Sequence, residues 1–330
     1  MSRERGPRRL RRLDRSALIA ASLTALSLTA SGCVVVHGER EVLPSTTKSE
    51  AAKALEQFTT AYNKADKAYD SSLDADYVSG ALGDIDEARL KAGKAVSPEG
   101  NTAHSPLELS DVKYTIPKKA GWPRWFVADA AANKGGKARW VFVFSRNGLD
   151  EPWEAAYLTL LSPGDVPRFK TDKDGWAEAV PANSTELAVP PADLSKEYAA
   201  YLKGGGDVFA SGGNTSGWRT EREKDAVKPG LVRQYIDEPL TEGDYAPLAL
   251  RTADGGALVF FTTRHFQKET AHSGVTVPTP GKAVLALTEG EIKQSLTLEF
   301  VSNEAALVPK GSGKVDVIGR IQGMTAAKGE

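Results

Sequence analysis

Residues 124–146 read RWFVADAAANKGGKARWVFVFSR, and residues 248–264 read LALRTADGGALVFFTTR. Each is a short apolar run, a Gly-Gly turn, and a longer run of β-branched and aromatic residues that ends in arginine. Short strand-type runs bounded by glycine turns signal antiparallel hairpins. The repetition of that order, about 120 residues apart, predicts two similar units.

Working outward, strand-like segments surround each hairpin. In the first half they are 107–117, 124–131, 138–145 and 153–161, with a further one at 176–180. In the second half they are 231–238, 246–252, 257–266, 282–287, 291–301 and 315–321. A helix precedes each group. Thr47 and Glu50 have capping-box spacing, in which each side chain satisfies a backbone donor near the other. Ala51, Ala54, Leu55, Phe58, Ala61, Tyr62, Ala65 and Tyr69 then form one apolar stripe at helical spacing. A shorter helical piece is expected from Asp84 to Lys91. A second stripe, Leu194, Tyr198, Tyr201 and Leu202, stops at Gly204-Gly-Gly206. The fold class expected is therefore α+β: two units, 47–185 and 186–330, each a helix packed on a curved antiparallel sheet.

The N-terminal residues have a different character. Seven arginines stand among residues 1–32 against Glu4 and Asp14. An uncharged apolar run, 17–28, follows, and Ala30-Ser31-Gly32 leads into Cys33, the one cysteine of the chain. A basic region, an apolar core and a small-residue end describe an export signal. The apolar run falls short of the roughly 20 residues a spanning helix needs. The paired arginines 8–9 and 11–12 lack the rest of a twin-arginine pattern, so the general secretory route is expected. The whole chain carries a net charge of −1, with 42 basic and 43 acidic residues. Without residues 1–32 it is mildly acidic, and it offers no basic footprint for nucleic acid.

Ala30-Ser31-Gly32-Cys33 resembles the lipobox of bacterial lipoproteins, with Ala30 where leucine is usual. The resemblance implies cleavage before Cys33 and a diacylglycerol thioether on it. Two acyl chains make a stable anchor, whereas one binds a membrane marginally. Residues 33–46, which contain Gly38 and Pro44 and show no period, then read as a lipidated tether. The order of helix and meander over 47–323 resembles the tandem cystatin-like or NTF2-like architecture of secreted lipoproteins from high-GC Gram-positive (actinobacterial) bacteria. That family implies no catalytic residues and no cofactor.

Catalytic motifs are weak. Ser211 lacks the first glycine of a nucleophile elbow. His265, Glu269 and His272 lack zinc-motif spacing. Asp74, Asp76 and Gly80 suggest a calcium loop, but Val78, Ser79 and Ile85 break its pattern. No catalytic, cofactor or metal residue is assigned. The candidate ligand surface is the aromatic group Trp122, Trp125, Trp140, Trp153 and Tyr157, weighed against a core-filling role. A hinged solute receptor would need many alternating strands and helices. The expectation is a membrane-anchored extracytoplasmic lipoprotein that binds another envelope protein or a wall component. The alternative is an exported hydrolase with an acid pair in a sheet cavity.

Overall fold

In a computed structural model, residues 41–330 are described; the leader, Cys33 and most of the tether lie outside them. The chain enters through β1 (Leu43–Pro44), so the last residues of the expected tether are hydrogen-bonded into the fold. Helix α1 (Lys48–Ala68) follows. The Thr47 hydroxyl caps it by accepting from the Glu50 amide at 3.1 Å. The reciprocal half of the box is not made: the Glu50 carboxylate accepts instead from the Thr46 hydroxyl and Trp153 Nε1.

Helix α2 (Gly80–Val96) is twice as long as its sequence signal. Its first residue has φ +53°, and a Cβ there would stand 2.5 Å from the Asp244 carbonyl oxygen, so only glycine fits. Next come β2 (Leu109–Thr115), β3 (Pro117–Lys119), β4 (Arg124–Ala132), β5 (Arg139–Arg146), β6 (Glu154–Leu161) and β7 (Ala177–Glu178). Strands β2-β4-β5-β6 form an antiparallel sheet, while β1-β3-β7 form a small separate one.

Helix α3 (Leu194–Gly204) ends at Gly205, with φ +76°, as the glycine run predicts. Helix α4 (Trp218–Asp225) leads into β8 (Val227–Lys228), β9 (Leu231–Leu240), β10 (Leu248–Arg251) and β11 (Ala257–Ala271). The expected strand at 282–287 is instead a helical turn, α5 (Lys282–Leu285). Then come β12 (Thr288–Glu289), β13 (Ser295–Val308) and β14 (Asp316–Gly329). The large sheet has the order β12-β14-β13-β11-β9-β8, with β10 also on β11. Both hairpins of the opening repeat form: β4 pairs β5, and β10 pairs β11.

Strand alternation builds the layers. On one face of the smaller sheet Phe126, Phe142, Phe144 and Trp153 pack under Ala54, Leu55 and Phe58 of α1. On the large sheet Val259, Phe261, Ala306 and Val308 pack under Leu194, Tyr198 and Leu202 of α3. The opposite faces meet each other. Trp125, Val127, Val141, Val143 and Tyr157 interdigitate with Leu250, Leu258, Phe260 and Ala305. The result is a helix–sheet–sheet–helix stack, an α+β fold in which the central strands of both sheets are buried on both faces. Helix α2 lies at the side of the stack, against β6, β13 and β14.

Because Phe260 belongs to the core between the sheets, Phe260→Ala should lower stability by about 3–5 kcal/mol. Fluorescence and far-ultraviolet circular dichroism should report one shared urea transition for both sheets.

Candidate functional site

The structure does not bring the five sequence-selected aromatics together. Trp125 and Tyr157 face the inter-sheet core, while Trp140 and Trp153 lie on the opposite face under α1. Trp122 stands in the turn before β4, half-buried, with the Arg124 and Arg146 guanidinium carbons each 5.9 Å from its ring centroid. Arg146 also lies 4.6 Å over Trp153, so these two tryptophans share one cation. The polar ends of three others are satisfied internally. Trp140 Nε1 donates to the Lys134 carbonyl, Trp153 Nε1 to Glu50, and the Tyr157 hydroxyl to the Ala246 carbonyl. None of the five lines the clefts described next.

Those clefts surround α2. One, of about 350 Å³, lies at its N-terminal end and includes Ser71, Ser72, Asp74, Asp84, Asp86 and Glu87. A second, of about 320 Å³, includes Lys91, Tyr245, Arg264 and Glu299. A third, of about 550 Å³, runs past Tyr69, Ile85, Val96, Leu287 and Met324 and is the most apolar of the three.

Beside the first cleft sits a cluster of ionisable groups from three segments. Asp66 comes from the last turn of α1, Asp86 and Arg89 from α2, and His104 from the loop before β2. Arg89 Nη1 donates to Asp66 Oδ1 at 2.5 Å, and its Nη2 and Nε donate to Asp86 Oδ1 at 2.8 and 3.2 Å. Asp66 Oδ2 is 2.7 Å from His104 Nδ1 and accepts from Asn101 Nδ2 at 3.1 Å. Burial alone would raise the Asp66 carboxyl, but the hydrogen bonds from His104 and Arg89 outweigh it and hold the group below its usual range.

Asp74 completes the cluster and behaves oppositely. It is 1% exposed, and neither carboxyl oxygen has a donor. Asp86, 4% exposed, gives Oδ1 to Arg89 but leaves Oδ2 without one. Burial first, then the charge of Asp86, pushes the Asp74 carboxyl up to about 8. Asp74 is therefore a neutral acid at pH 7, hydrogen-bonded to Asp86.

The sequence marks Asp74 in the rejected calcium loop, and the structure turns it inward while Asp76 stays exposed. Asp66, Asp86, Arg89 and His104 went unselected. A signal existed: Asp86 falls between Leu82 and Leu90 at four-residue spacing, an acid on an apolar stripe.

A second buried cluster lies under α4. Arg222 and Asp237 form a bidentate pair at 2.7 and 2.8 Å. Trp218 has Arg222 at 4.9 Å and Arg320 at 4.3 Å from its ring centroid. Nearby Glu304, fully buried, accepts from the Thr263 hydroxyl at 2.7 Å, and burial pushes its carboxyl up to about 8. His265 is on β11, held down to about 2 by burial and by the charges of Arg222 and Arg320. With Glu269 it lies on the strand, not in a metal motif. Among the described residues, no three His, Cys, Asp or Glu side chains are grouped to hold a metal ion. Nor, among those residues, is any helix long and apolar enough to cross a membrane.

A family model described as "Domain of unknown function (DUF8094)" matches residues 42–329, nearly all of the described chain. The chain belongs to this family. It is 72% identical over 330 residues to "Uncharacterized lipoprotein SCO2278" of Streptomyces coelicolor, with both chains covered in full. A Streptomyces avermitilis protein, "Uncharacterized lipoprotein", is 60% identical over 333 residues, again with both covered in full. A second S. coelicolor protein, "Uncharacterized lipoprotein SCO6871", is 29% identical over 345 residues, covering 94% of this chain and 93% of its own. No solved structure matches the chain. The match spans both halves of the stack, so family membership belongs to the whole fold and not to one hairpin.

Two tests follow from the clusters. The folded state holds the Asp74 proton up to about pH 8, whereas an unfolded aspartate loses it near pH 4. Between those values the native state binds an extra proton at Asp74, and likewise at Glu304, so stability should fall as pH rises, by at most about 1.4 kcal/mol per unit for each acid. Urea denaturation from pH 5 to 8 should show this slope, and Asp74→Asn should remove the share of one acid and leave that of Glu304. Separately, Asp237→Leu strands the Arg222 charge and should cost about 3–5 kcal/mol; adding Arg222→Met should recover part of that loss.

Proposed function

We propose that this protein is a lipoprotein exported by its N-terminal segment and cut before Cys33. The lipid on that cysteine anchors it to the outer face of the cytoplasmic membrane. There it acts by binding another envelope protein or a wall component. The lipobox-like Ala30-Ser31-Gly32-Cys33 and the names of the full-length relatives support the anchor. In this reading residues 47–185 and 186–330 are two related cystatin-like or NTF2-like units acting as a scaffold.

One observation favours binding over catalysis. The sheet faces that would enclose a substrate are filled, by Phe58, Phe126, Phe142 and Phe144 on one side and by Tyr198, Phe209 and Phe261 on the other. Open space lies around α2, on the outside of the stack. The hydrolase reading rests on the Asp74–Asp86 pair, since a neutral acid beside a second acid is the beginning of an acid–base couple. Two carboxylates in mutual contact do not have the separation of about 5–9.5 Å that glycosidases use.

Cell fractionation tests the anchor: Cys33→Ala should move the protein from the membrane to the medium, and continued membrane attachment would refute it. For the activity, detergent-solubilised full-length protein is mixed with isolated cell walls and sedimented. Co-sedimentation without release of soluble fragments is expected. Fragment release that stops in Asp74→Asn would favour the hydrolase.

A further inference from the structure

Three exposed apolar side chains gather at one end of the smaller sheet. Arg124 of β4 pairs Arg146 of β5, so the turn before β4 and the turn after β5 lie side by side. The second turn carries Leu149, the most exposed large apolar side chain among the described residues. The first carries Trp122, half-buried beside Arg124 and Arg146. The chain enters the fold at this same end. Leu43 pairs Lys119 in β3, and Arg124 Nη1 donates to the carbonyl oxygens of Leu43 at 3.2 Å and of Lys119 at 2.5 Å. Val42 and Leu43 are themselves 61% and 40% exposed. Apolar side chains gathered in one place mark a contact surface, whereas scattered ones are ordinary.

We propose that this end of the fold lies on the phospholipid bilayer, with Val42, Leu43, Trp122 and Leu149 in the head-group layer. The inference rests on the lipid anchor at Cys33. From Cys33 to Leu43 the chain advances by ten residues, which span at most about 35 Å, so this end stays close to the lipid. Tethering makes the contact intramolecular, and a patch too weak to hold a free protein on a membrane then suffices. Tryptophan suits the place, because its ring is apolar while its N–H stays wet at a membrane–water interface. The charges at this end are of both signs: Lys119, Arg124 and Arg146 stand with Glu50, Asp150 and Glu151. The contact is therefore apolar and does not require anionic lipid.

The test places a nitroxide label on the lipidated protein, whose native cysteine is blocked by its lipid, in phosphatidylcholine vesicles. Leu149→Cys carries the label at the proposed contact. Val227→Cys carries it on β8, at the outer edge of the large sheet. The two side chains are almost equally exposed in the fold, at 76% and 72%, so without a membrane contact both labels collide alike with oxygen and with a water-soluble nickel chelate. The bilayer admits oxygen and excludes the chelate. The ratio of oxygen to chelate collisions should therefore be severalfold higher for Leu149→Cys, in vesicles that carry the protein with them on flotation. Equal ratios in such vesicles would overturn the proposal and leave the anchor standing. Protein that does not float with the vesicles would overturn the anchor, and this inference with it. Loss of the difference at high salt, which screens surface charge, would overturn the apolar contact in favour of an electrostatic one.

Discussion

The structure depends on the core between its two sheets. Each sheet carries apolar residues on both faces, and strand alternation sends them to opposite sides. On β4, Trp125 and Val127 point one way and Phe126 and Ala128 the other. On β11, Leu258 and Phe260 oppose Val259 and Phe261. A helix can cover only one face. The other must find a second sheet, and the only economical solution is to pack the two together, at a spacing near 10 Å. The helices are thereby forced to the outside, and the four-layer order follows.

This arrangement places the charged groups where they are. With the layers filled by aromatics, ionisable side chains are either paired inside or displaced to the flank. Arg222–Asp237 is the first kind, a bidentate pair under α4. The cluster around Asp86 is the second, at the margin where α2 leans on the side of the stack and packing leaves clefts. Burial there is deep enough to keep Asp74 protonated at neutral pH, yet the cleft beside it reaches solvent.

How much was legible in the sequence depended on whether a local rule applied. The cap at Thr47, the stripe of α1, the glycine stop of α3 and both Gly-Gly hairpins are local, and they appear as read. Errors arose where burial overrode the pattern. Residues 282–285 carry a short apolar run whose period does not separate helix from strand. They form a helical turn that delivers Leu287 to Ala88 and Ala92 of α2. The strand-like segment read at 291–301 ends just before the polar residues Ser302, Asn303 and Glu304. It continues to Val308 with all three buried. The aromatic group, close in sequence, was divided by alternation between two different cores.

By itself, the sequence determined the class of the fold, the places of α1 and α3 and the repeated hairpin. Each of these is written in local spacing: period 2, period 3.6 and turn residues. Tertiary structure alone decided that the two sheets meet face to face, that α2 stands at their side, and that Asp66, Asp74, Asp86, Arg89 and His104 converge. Those contacts join residues up to 38 positions apart within the cluster and more than 100 across the sheets. Their proximity follows from burying every apolar face at once, a condition no single segment contains.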